Sequence, residues 1–240
     1  MTAQSIDISF VSDGLRLNGV LHLPENPEPP VIVGSHGLAS DGDSPKQIEL
    51  AHACNHFGIA FFRFHHRGCG TSEGFFPDVT SLENRKKDLI AAVNTVLSRN
   101  DTGRRLALFG SSMGGTTCIA AAEELKAEAL VVVAAPVSGK TLKKAPERQD
   151  GEPVLTDAFY ERFLQFDVTE KISSIRNILI FHGDHDDVVP LENGKTLFSL
   201  AGDPKRLIVQ KNGDHRITAP DHQIEFIREA SQWFRSCFSV

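Results

Sequence analysis

The chain has 240 residues, of which 40% are hydrophobic and 23% are charged, a composition typical of a globular protein with enough apolar residues for one large core. Its formal net charge of -6 argues against a nucleic-acid-binding surface, which would concentrate lysine and arginine on one face. Residues 1–10 lack the pattern of a secretory signal and no stretch is apolar for long enough to span a bilayer, so we expect a cytoplasmic protein without membrane or nucleic-acid partners.

The predicted elements begin with an antiparallel hairpin, in which residues 6–11 and 15–23 are strand-like and residues 12–14 form the turn. Six short apolar runs follow, and their continuous hydrophobicity indicates strands buried on both faces. They are residues 31–33, 59–64, 106–109, 130–133, 178–181 and 207–209. Helical patterns lie between the runs, at residues 45–57, 81–97, 113–125, 191–200 and 222–234. This alternation predicts a single α/β domain over residues 1–240, with a mostly parallel sheet covered by helices on both faces.

One interval interrupts the alternation of strands and helices. Residues 138–167 are polar and contain prolines before a short helical pattern places Phe159, Phe163 and Phe166 on one face. The interval is predicted to be a small cap or insert. Helical spacing of aromatic residues is equally consistent with ordinary packing on the body of the domain.

A nucleophile motif lies between a predicted strand and a predicted helix. The sequence Gly110-Ser111-Ser112-Met113-Gly114 matches G-x-S-x-G in the strand-turn-helix context that a nucleophile elbow requires. The turn is so tight that a side chain at either glycine would collide with neighbouring backbone, whereas Ser112 at its tip exposes its hydroxyl. The motif predicts that Ser112 is a nucleophile.

A serine hydroxyl needs a base within hydrogen-bond reach and a carboxylate that orients the base. His215 follows the last predicted strand, and three aspartates follow the strand before it: Asp184, Asp186 and Asp187. Along the chain the serine comes first, then the aspartates, then the histidine. This is the order in which triad residues follow a G-x-S-x-G elbow. The pattern therefore predicts a Ser-His-Asp triad with Ser112, His215 and one of the three aspartates.

These motifs resemble those of the α/β-hydrolase superfamily, in particular its small esterase, feruloyl-esterase-like and serine-aminopeptidase-like members. The resemblance covers nearly the whole chain. Besides the elbow it rests on Ser35-His36-Gly37-Leu38, Phe62 to Ser72, the His-Gly-x-x-Asp-x-x-Val-Pro stretch from His182, and Asp214-His215-Arg216. It implies an α/β-hydrolase fold with about eight strands and the first pair antiparallel.

The resemblance also implies roles for individual residues. The acid of the family lies four residues after the His-Gly histidine, which is Asp186 here, with Asp184 and Asp187 as alternatives. The backbone N–H groups of Leu38 and Met113 match the two donors of the family's oxyanion hole. No cofactor and no metal are implied, and the expected partner is a small-molecule acyl substrate.

Two positions depart from the pattern of the family. His65 replaces an aspartate and Cys69 replaces a histidine in the segment that relatives read as Phe-Asp-x-Arg-Gly-His-Gly. We interpret Cys69 as a small packed residue, and all four cysteines as free thiols, because their spacing fits neither a disulfide framework nor a zinc site. His65 and His66 are adjacent on a predicted strand, so they point to opposite faces and are poorly placed to share a metal ion.

A rival motif favours a protein of another class. Residues 134–141 read A-x-x-x-x-G-K-T after a predicted strand, which is close to a phosphate-binding loop. Against it, Ala134 replaces the first glycine, and Pro136 removes an N–H from a loop that should present N–H groups to phosphate. The favoured prediction is a serine hydrolase that cleaves a small to medium acyl or aryl ester. A thioesterase or an aminopeptidase-like amidase is the alternative on the same triad, and a nucleotide-binding protein is the remote one.

Overall fold

A single eight-stranded sheet organises the chain. The computed structural model describes residues 4–38, 40–142, 159, 161, 163 and 165–240. The strands are β1 Gln4–Ser12, β2 Leu15–Leu23, β3 Val31–Ser35, β4 Ala60–Phe64, β5 Leu106–Ser111, β6 Ala129–Val133, β7 Ile178–Gly183 and β8 Lys205–Gln210. They are ordered β1-β2-β4-β3-β5-β6-β7-β8, and β2 runs antiparallel to both of its neighbours while all other pairs are parallel.

Helices cover both faces of the sheet. They are α1 Pro45–His56, α2 Phe76–Val79, α3 Leu82–Leu97, α4 Met113–Leu125, α5 Thr169–Ile172, α6 Glu192–Leu200 and α7 Pro220–Phe238, with a 3-10 turn at Gly139–Thr141. Buried residues of α3, α4 and α6 belong to one hydrophobic cluster, and those of α1 and α7 belong to the other. The sheet is therefore the middle of three layers.

The alternation of side chains along the central strands explains why both layers form. In β3, Val31 and Val33 pack into one cluster and Ile32 into the other, and all three are fully buried. The other parallel strands repeat this pattern, for example with Leu108 and Phe109 in β5 on opposite faces. Successive side chains of a strand point to opposite faces, so a continuous apolar run supplies two cores at once.

The predicted fold class is confirmed, including the antiparallel first pair and the eight strands. Strand β2 and helix α4 have the predicted bounds, and the remaining predicted elements are found with ends shifted by a few residues. The sequence patterns missed the short helices α2 and α5 and the 3-10 turn, which are too short to show a helical period. Among the helices of the described residues, none is long and apolar enough to cross a membrane.

The predicted cap falls largely on residues 143–158, 160, 162 and 164, which lie outside the described part of the chain. At its two ends, Ser138 and Asp167 pair through an isolated antiparallel bridge. The aromatic residues Phe159, Phe163 and Phe166 are buried and stack or pack edge to face in sequence. The aromatic stripe is therefore a packing surface.

Candidate active site

The turn between β5 and α4 holds Ser112 in a backbone conformation that few residues adopt. Its φ is 52° and its ψ is -123°, and its N–H donates to the Val133 carbonyl at 2.7 Å. A Cβ on Gly114 would lie 2.0 Å from the Ser35 carbonyl oxygen, and one on Gly110 would lie 2.5 Å from the Gly114 backbone. The glycines are thus required by close backbone contacts, and the tight turn presents the Ser112 side chain at the carboxyl end of β5.

The side chain of His215 reaches Ser112 from the loop after β8. The distance from His215 Nε2 to Ser112 Oγ is 3.0 Å, and His215 Nδ1 lies 2.8 Å from Asp186 Oδ2. A carboxylate only accepts hydrogen bonds, so Nδ1 carries the proton and Nε2 is free to accept the Ser112 hydroxyl proton. Ser112 and His215 remain partly exposed, whereas Asp186 is buried.

The loop after β7 orients the Asp186 carboxylate. Its Oδ1 accepts hydrogen bonds from the N–H groups of Val188 at 2.9 Å and Val189 at 2.8 Å, which leaves Oδ2 for His215. Burial alone would raise the pKa of Asp186, but the hydrogen bonds and the neighbouring imidazole outweigh it, so the pKa lies below its ordinary value. The carboxylate therefore stays ionised at neutral pH.

The two alternative aspartates lie elsewhere. Asp184 is exposed, bonds to His185 Nδ1 at 2.7 Å and accepts the N–H of Asn212. Asp187 is exposed as well. Of the three aspartates, Asp186 is the one whose oxygen contacts His215.

The loop after β3 runs alongside the nucleophile turn. A Cβ on Gly37 would lie 3.7 Å from the Ser112 Cβ, so the Gly37 backbone lies next to the Ser112 side chain. Leu38 follows this glycine, and Met113 follows Ser112 at the start of α4.

An apolar cluster adjoins both of these residues. The buried members of the cluster are Cys69, Phe76, Met113, Phe159, Phe163 and Phe166, and Leu38, Leu82 and Leu142 pack against them. The Phe76 and Phe159 rings stack with their centroids 5.9 Å apart. Burial raises the pKa of the Cys69 thiol to about 11, so Cys69 is a protonated packing residue here. The cluster therefore extends from Leu38 and Met113, the residues that follow Gly37 and Ser112, to four packed phenylalanines.

Two residues outside the proposed triad support the site, and one of them, Lys46, gave no signal in the sequence. Lys46, in the first turn of α1, donates from Nζ to the Arg216 carbonyl at 2.9 Å, directly after His215, and burial lowers the pKa of Lys46 to about 8. His182 donates from Nε2 to the Val189 carbonyl at 2.8 Å and so holds the loop that carries Asp186. Lys46 and Arg216 are far apart in the chain, and only the fold brings them into contact.

A group of possible cation ligands lies near the site. Asp41, Asp43 and His65 have side-chain atoms within 4.8 Å of one another. The Gly42 N–H donates to His65 Nδ1 at 3.0 Å, so that nitrogen is unprotonated and the proton is on Nε2, which faces Asp43. Asp43 is also paired with Arg63. We interpret the group as a hydrogen-bonded cluster, because neither ring nitrogen offers a free lone pair.

The loop that resembles a phosphate-binding motif uses its N–H groups within the protein. The amides of Ala134, Val137 and Gly139 donate to Phe181 O, Asn193 Oδ1 and Phe166 O respectively. The segment Gly139–Thr141 forms a single 3-10 turn. The loop lacks the set of free amides that would bind phosphate, which argues against the nucleotide-binding alternative.

Comparison with known proteins identifies the family of the chain. A family model described as serine aminopeptidase, S33, matches residues 27–176. The chain belongs to this α/β-hydrolase family. It is 29% identical over 237 residues to the protein YfhR of Escherichia coli O157:H7, covering 95% of this chain and 78% of that one.

More distant relatives of this α/β hydrolase carry functional names. It is 24% identical over 216 residues to the mitochondrial palmitoyl-protein thioesterase ABHD10 of Bos taurus, covering 78% of this chain and 67% of the relative. Among solved structures, Est1E of Butyrivibrio proteoclasticus with ferulic acid bound has a TM-score of 0.84 at 20% identity, over 97% of this chain and 100% of that one. The structural likeness shows the fold of this hydrolase.

Proposed function

We propose that the chain is a serine hydrolase that cleaves carboxylic esters of small to medium acyl or aryl groups. Ser112 is the nucleophile, His215 the general base and Asp186 the carboxylate that orients it. The observation that carries the proposal is the continuous hydrogen-bond chain from Ser112 Oγ through His215 to Asp186, with distances of 3.0 and 2.8 Å.

The first half of the reaction forms an acyl-enzyme. Ser112 Oγ attacks the acyl carbon while its proton passes to His215 Nε2, and Asp186 stabilises the resulting imidazolium. The N–H groups of Leu38 and Met113 bind the oxyanion, and one such donor contributes about 3 kcal/mol to lowering the barrier. His215 then gives its proton to the leaving oxygen, the carbon–oxygen bond breaks, and the alcohol departs.

The second half regenerates the enzyme. Water attacks the acyl carbon and gives a proton to His215 Nε2, so that a second tetrahedral intermediate forms in the same oxyanion hole. When this intermediate collapses, Ser112 Oγ leaves and recovers the proton from His215, and the carboxylic acid is released. Every proton is carried by the one imidazole.

The apolar cluster beside Ser112 supports an uncharged acyl or aryl group as the bound part of the substrate. Its described members are Cys69, Met113 and four phenylalanines, with three leucines on its border, and all of these side chains are uncharged. Placing an unpaired ammonium group against these apolar side chains would cost binding free energy. The cluster therefore favours an ester over an aminoacyl amide.

The thioester alternative has one observation in its favour, because the Bos taurus relative is named a palmitoyl-protein thioesterase. Esters and thioesters pass through the same tetrahedral oxyanion, so the proposed residues would serve both. A panel of p-nitrophenyl esters, acyl thioesters and aminoacyl p-nitroanilides, compared by kcat/KM, separates the three bond types.

The proposal is tested with Ser112→Ala, and Ser111→Ala, which removes the neighbouring hydroxyl, is the matched control. We expect Ser112→Ala to lower kcat for p-nitrophenyl butyrate on the order of 10⁴-fold or more and to abolish labelling by a fluorophosphonate probe. Ser111→Ala should keep both the hydrolysis of the ester and the labelling by the probe. Undiminished hydrolysis by Ser112→Ala would contradict the mechanism.

A further inference from the structure

The direction of the Leu38 N–H depends on the carbonyl of the preceding residue. Gly37 C=O and Leu38 N–H belong to one planar trans peptide, in which the two groups point in opposite directions. Any contact that holds the Gly37 oxygen on the side away from Ser112 therefore holds the Leu38 N–H on the side of Ser112. The groups that bind the Gly37 oxygen control the proposed oxyanion donor.

Two buried side chains bind this oxygen. His36 Nδ1 donates to it at 2.8 Å, and the imidazole is held in that tautomer because His36 Nε2 accepts the N–H of His66 at 3.0 Å. Arg85, in the first turn of α3, donates from Nη2 to the His36 carbonyl and lies 3.4 Å from the Gly37 oxygen.

The His36 and Gly37 carbonyls converge on the Arg85 guanidinium. The oxygens of His36 and Gly37 belong to successive peptides, which in extended backbone point in opposite directions, yet both face the same nitrogen of Arg85. Two converging carbonyl dipoles repel each other unless a donor lies between them. The guanidinium is planar and presents its N–H donors in fixed directions, so it is well suited to hold two carbonyls that the backbone turns toward each other.

Arg85 is also poorly satisfied as a structural residue. It is 1% exposed, and within the described part of the chain its Nε and Nη1 have no hydrogen-bond partner. The nearby buried carboxylate of Asp88 is bound instead to Arg67, at 2.7 and 2.9 Å. Burial lowers the pKa of Arg85, which shows that its charge is disfavoured there. A buried cation that is not compensated by an ion pair is a cost to stability.

We propose that Arg85 is a positioning residue for ester hydrolysis: its guanidinium holds the His36 and Gly37 carbonyls on one side of the loop so that the Leu38 N–H faces the acyl oxygen. The inference rests on the proposed function of Ser112 and Leu38. It explains why a poorly paired arginine lies in the interior. The buried charge lowers the stability of the fold, but it orients the Leu38 N–H for catalysis.

The test compares Arg85→Met and Arg85→Lys with the control Gln47→Leu. Gln47 is 1% exposed, and its amide has no hydrogen-bond partner among the described residues, so this control also removes an unsatisfied buried polar group close to the site. We expect Arg85→Met to lower kcat for p-nitrophenyl butyrate by roughly 10- to 100-fold with KM nearly unchanged. Arg85→Lys, which keeps one donor, should be intermediate, and Gln47→Leu should keep its kcat.

Two further readouts separate positioning from a general loss of structure. The Ki of an alkyl trifluoromethyl ketone, which forms a tetrahedral adduct with the serine, should rise by the factor by which kcat/KM falls. Thermal unfolding should show that Arg85→Met still folds cooperatively, because the buried charge that it removes is poorly paired and offsets the lost hydrogen bond to the His36 carbonyl. An unchanged kcat in folded Arg85→Met, or equal losses in Gln47→Leu, would overturn the inference.

Failure of the proposed function has a different signature. If Ser112→Ala stays active, the proposed mechanism is wrong, and crystal structures of the wild type and Arg85→Met still test the role of Arg85. The inference requires the Gly37–Leu38 peptide to turn in Arg85→Met relative to the wild type. The same peptide orientation in both structures would overturn it whatever the enzyme hydrolyses.

Discussion

At the scale of single residues, the described part of the chain contains two Ser-His-Asp arrangements. Besides Ser112, His215 and Asp186, a second set joins Ser35 Oγ to His66 Nε2 at 2.8 Å and His66 Nδ1 to Asp88 Oδ2 at 3.4 Å. All three residues of the second set are fully buried, so no substrate can reach Ser35. Residue types and contacts alone therefore do not define an active site, and access decides which serine can react.

The choice among the three aspartates leads to a test at this scale. We expect Asp186→Asn to lower kcat by about 10⁴-fold, because an amide can hold the imidazole in the wrong tautomer and does not stabilise its cation. Asp184→Asn changes an exposed carboxylate in the same loop and should leave kcat within a few-fold of the wild type. Both are measured by ester hydrolysis, and equal losses in the two variants would exclude Asp186 as the specific partner of His215.

At the scale of elements, the turn between β5 and α4 depends on backbone packing as well as on its serine. The β3 backbone approaches the first turn of α4 so closely that Gly114 has no space for a side chain. This contact joins two elements that carry proposed functional groups, the oxyanion loop after β3 and the nucleophile turn.

Gly114→Ala tests the packing of these elements. The added methyl would overlap the Ser35 carbonyl, so we expect a loss of about 3 kcal/mol or more in the free energy of unfolding, together with lost activity. The comparison variant is Gly14→Ala in the β1–β2 turn, where φ is 81° and a Cβ would meet nothing within 4 Å. There the cost should be about 1 kcal/mol, from the backbone conformation alone. Urea unfolding measures both, and similar losses would refute the packing argument.

At the scale of the whole molecule, several histidines are folded into the interior in their neutral form. Burial is the main cause in each case: it lowers the pKa of His22 to about 4 and that of His66 to about 3, and it lowers the pKa of His36 and His182 as well. These rings serve as hydrogen-bond partners around the sheet, for example His22 for Arg63 and His66 for Ser35.

This property predicts how stability depends on pH. Below about pH 6.5 the unfolded chain binds protons at these histidines and the folded chain does not, so the free energy of unfolding falls as the pH falls. Each such group contributes up to about 1.4 kcal/mol per pH unit, lost progressively down to its folded pKa. Thermal unfolding between pH 7.5 and 5, above the range where carboxylates are protonated, measures the slope. His22→Gln should reduce this slope by up to the contribution of one proton, about 1.4 kcal/mol per pH unit. An unchanged slope would contradict the conclusion that His22 is neutral in the folded chain.

Much of the fold and part of the site could be predicted because the signals are local. Continuous apolar runs mark strands buried on both faces, and the G-x-S-x-G turn identifies Ser112 because its tight backbone restricts which residues fit. The short helices α2 and α5 were not predicted, since four residues cannot show a helical period. Among three neighbouring aspartates, family resemblance favoured Asp186, but the residues alone did not.

The amino-acid sequence by itself determined the layered α/β fold and the candidate nucleophile. The pattern of apolar residues that marks a strand or a helix, and the glycines that a tight turn needs, each lie within a few consecutive residues. Tertiary structure decided the contacts between distant segments. Ser112 meets His215 across 103 positions, Arg85 meets the His36 carbonyl across 49, and β3 lies between β4 and β5 in the sheet. Hydrogen bonds of this kind depend on positions in space to within a fraction of an ångström, and only the packed sheet and its helices set those positions.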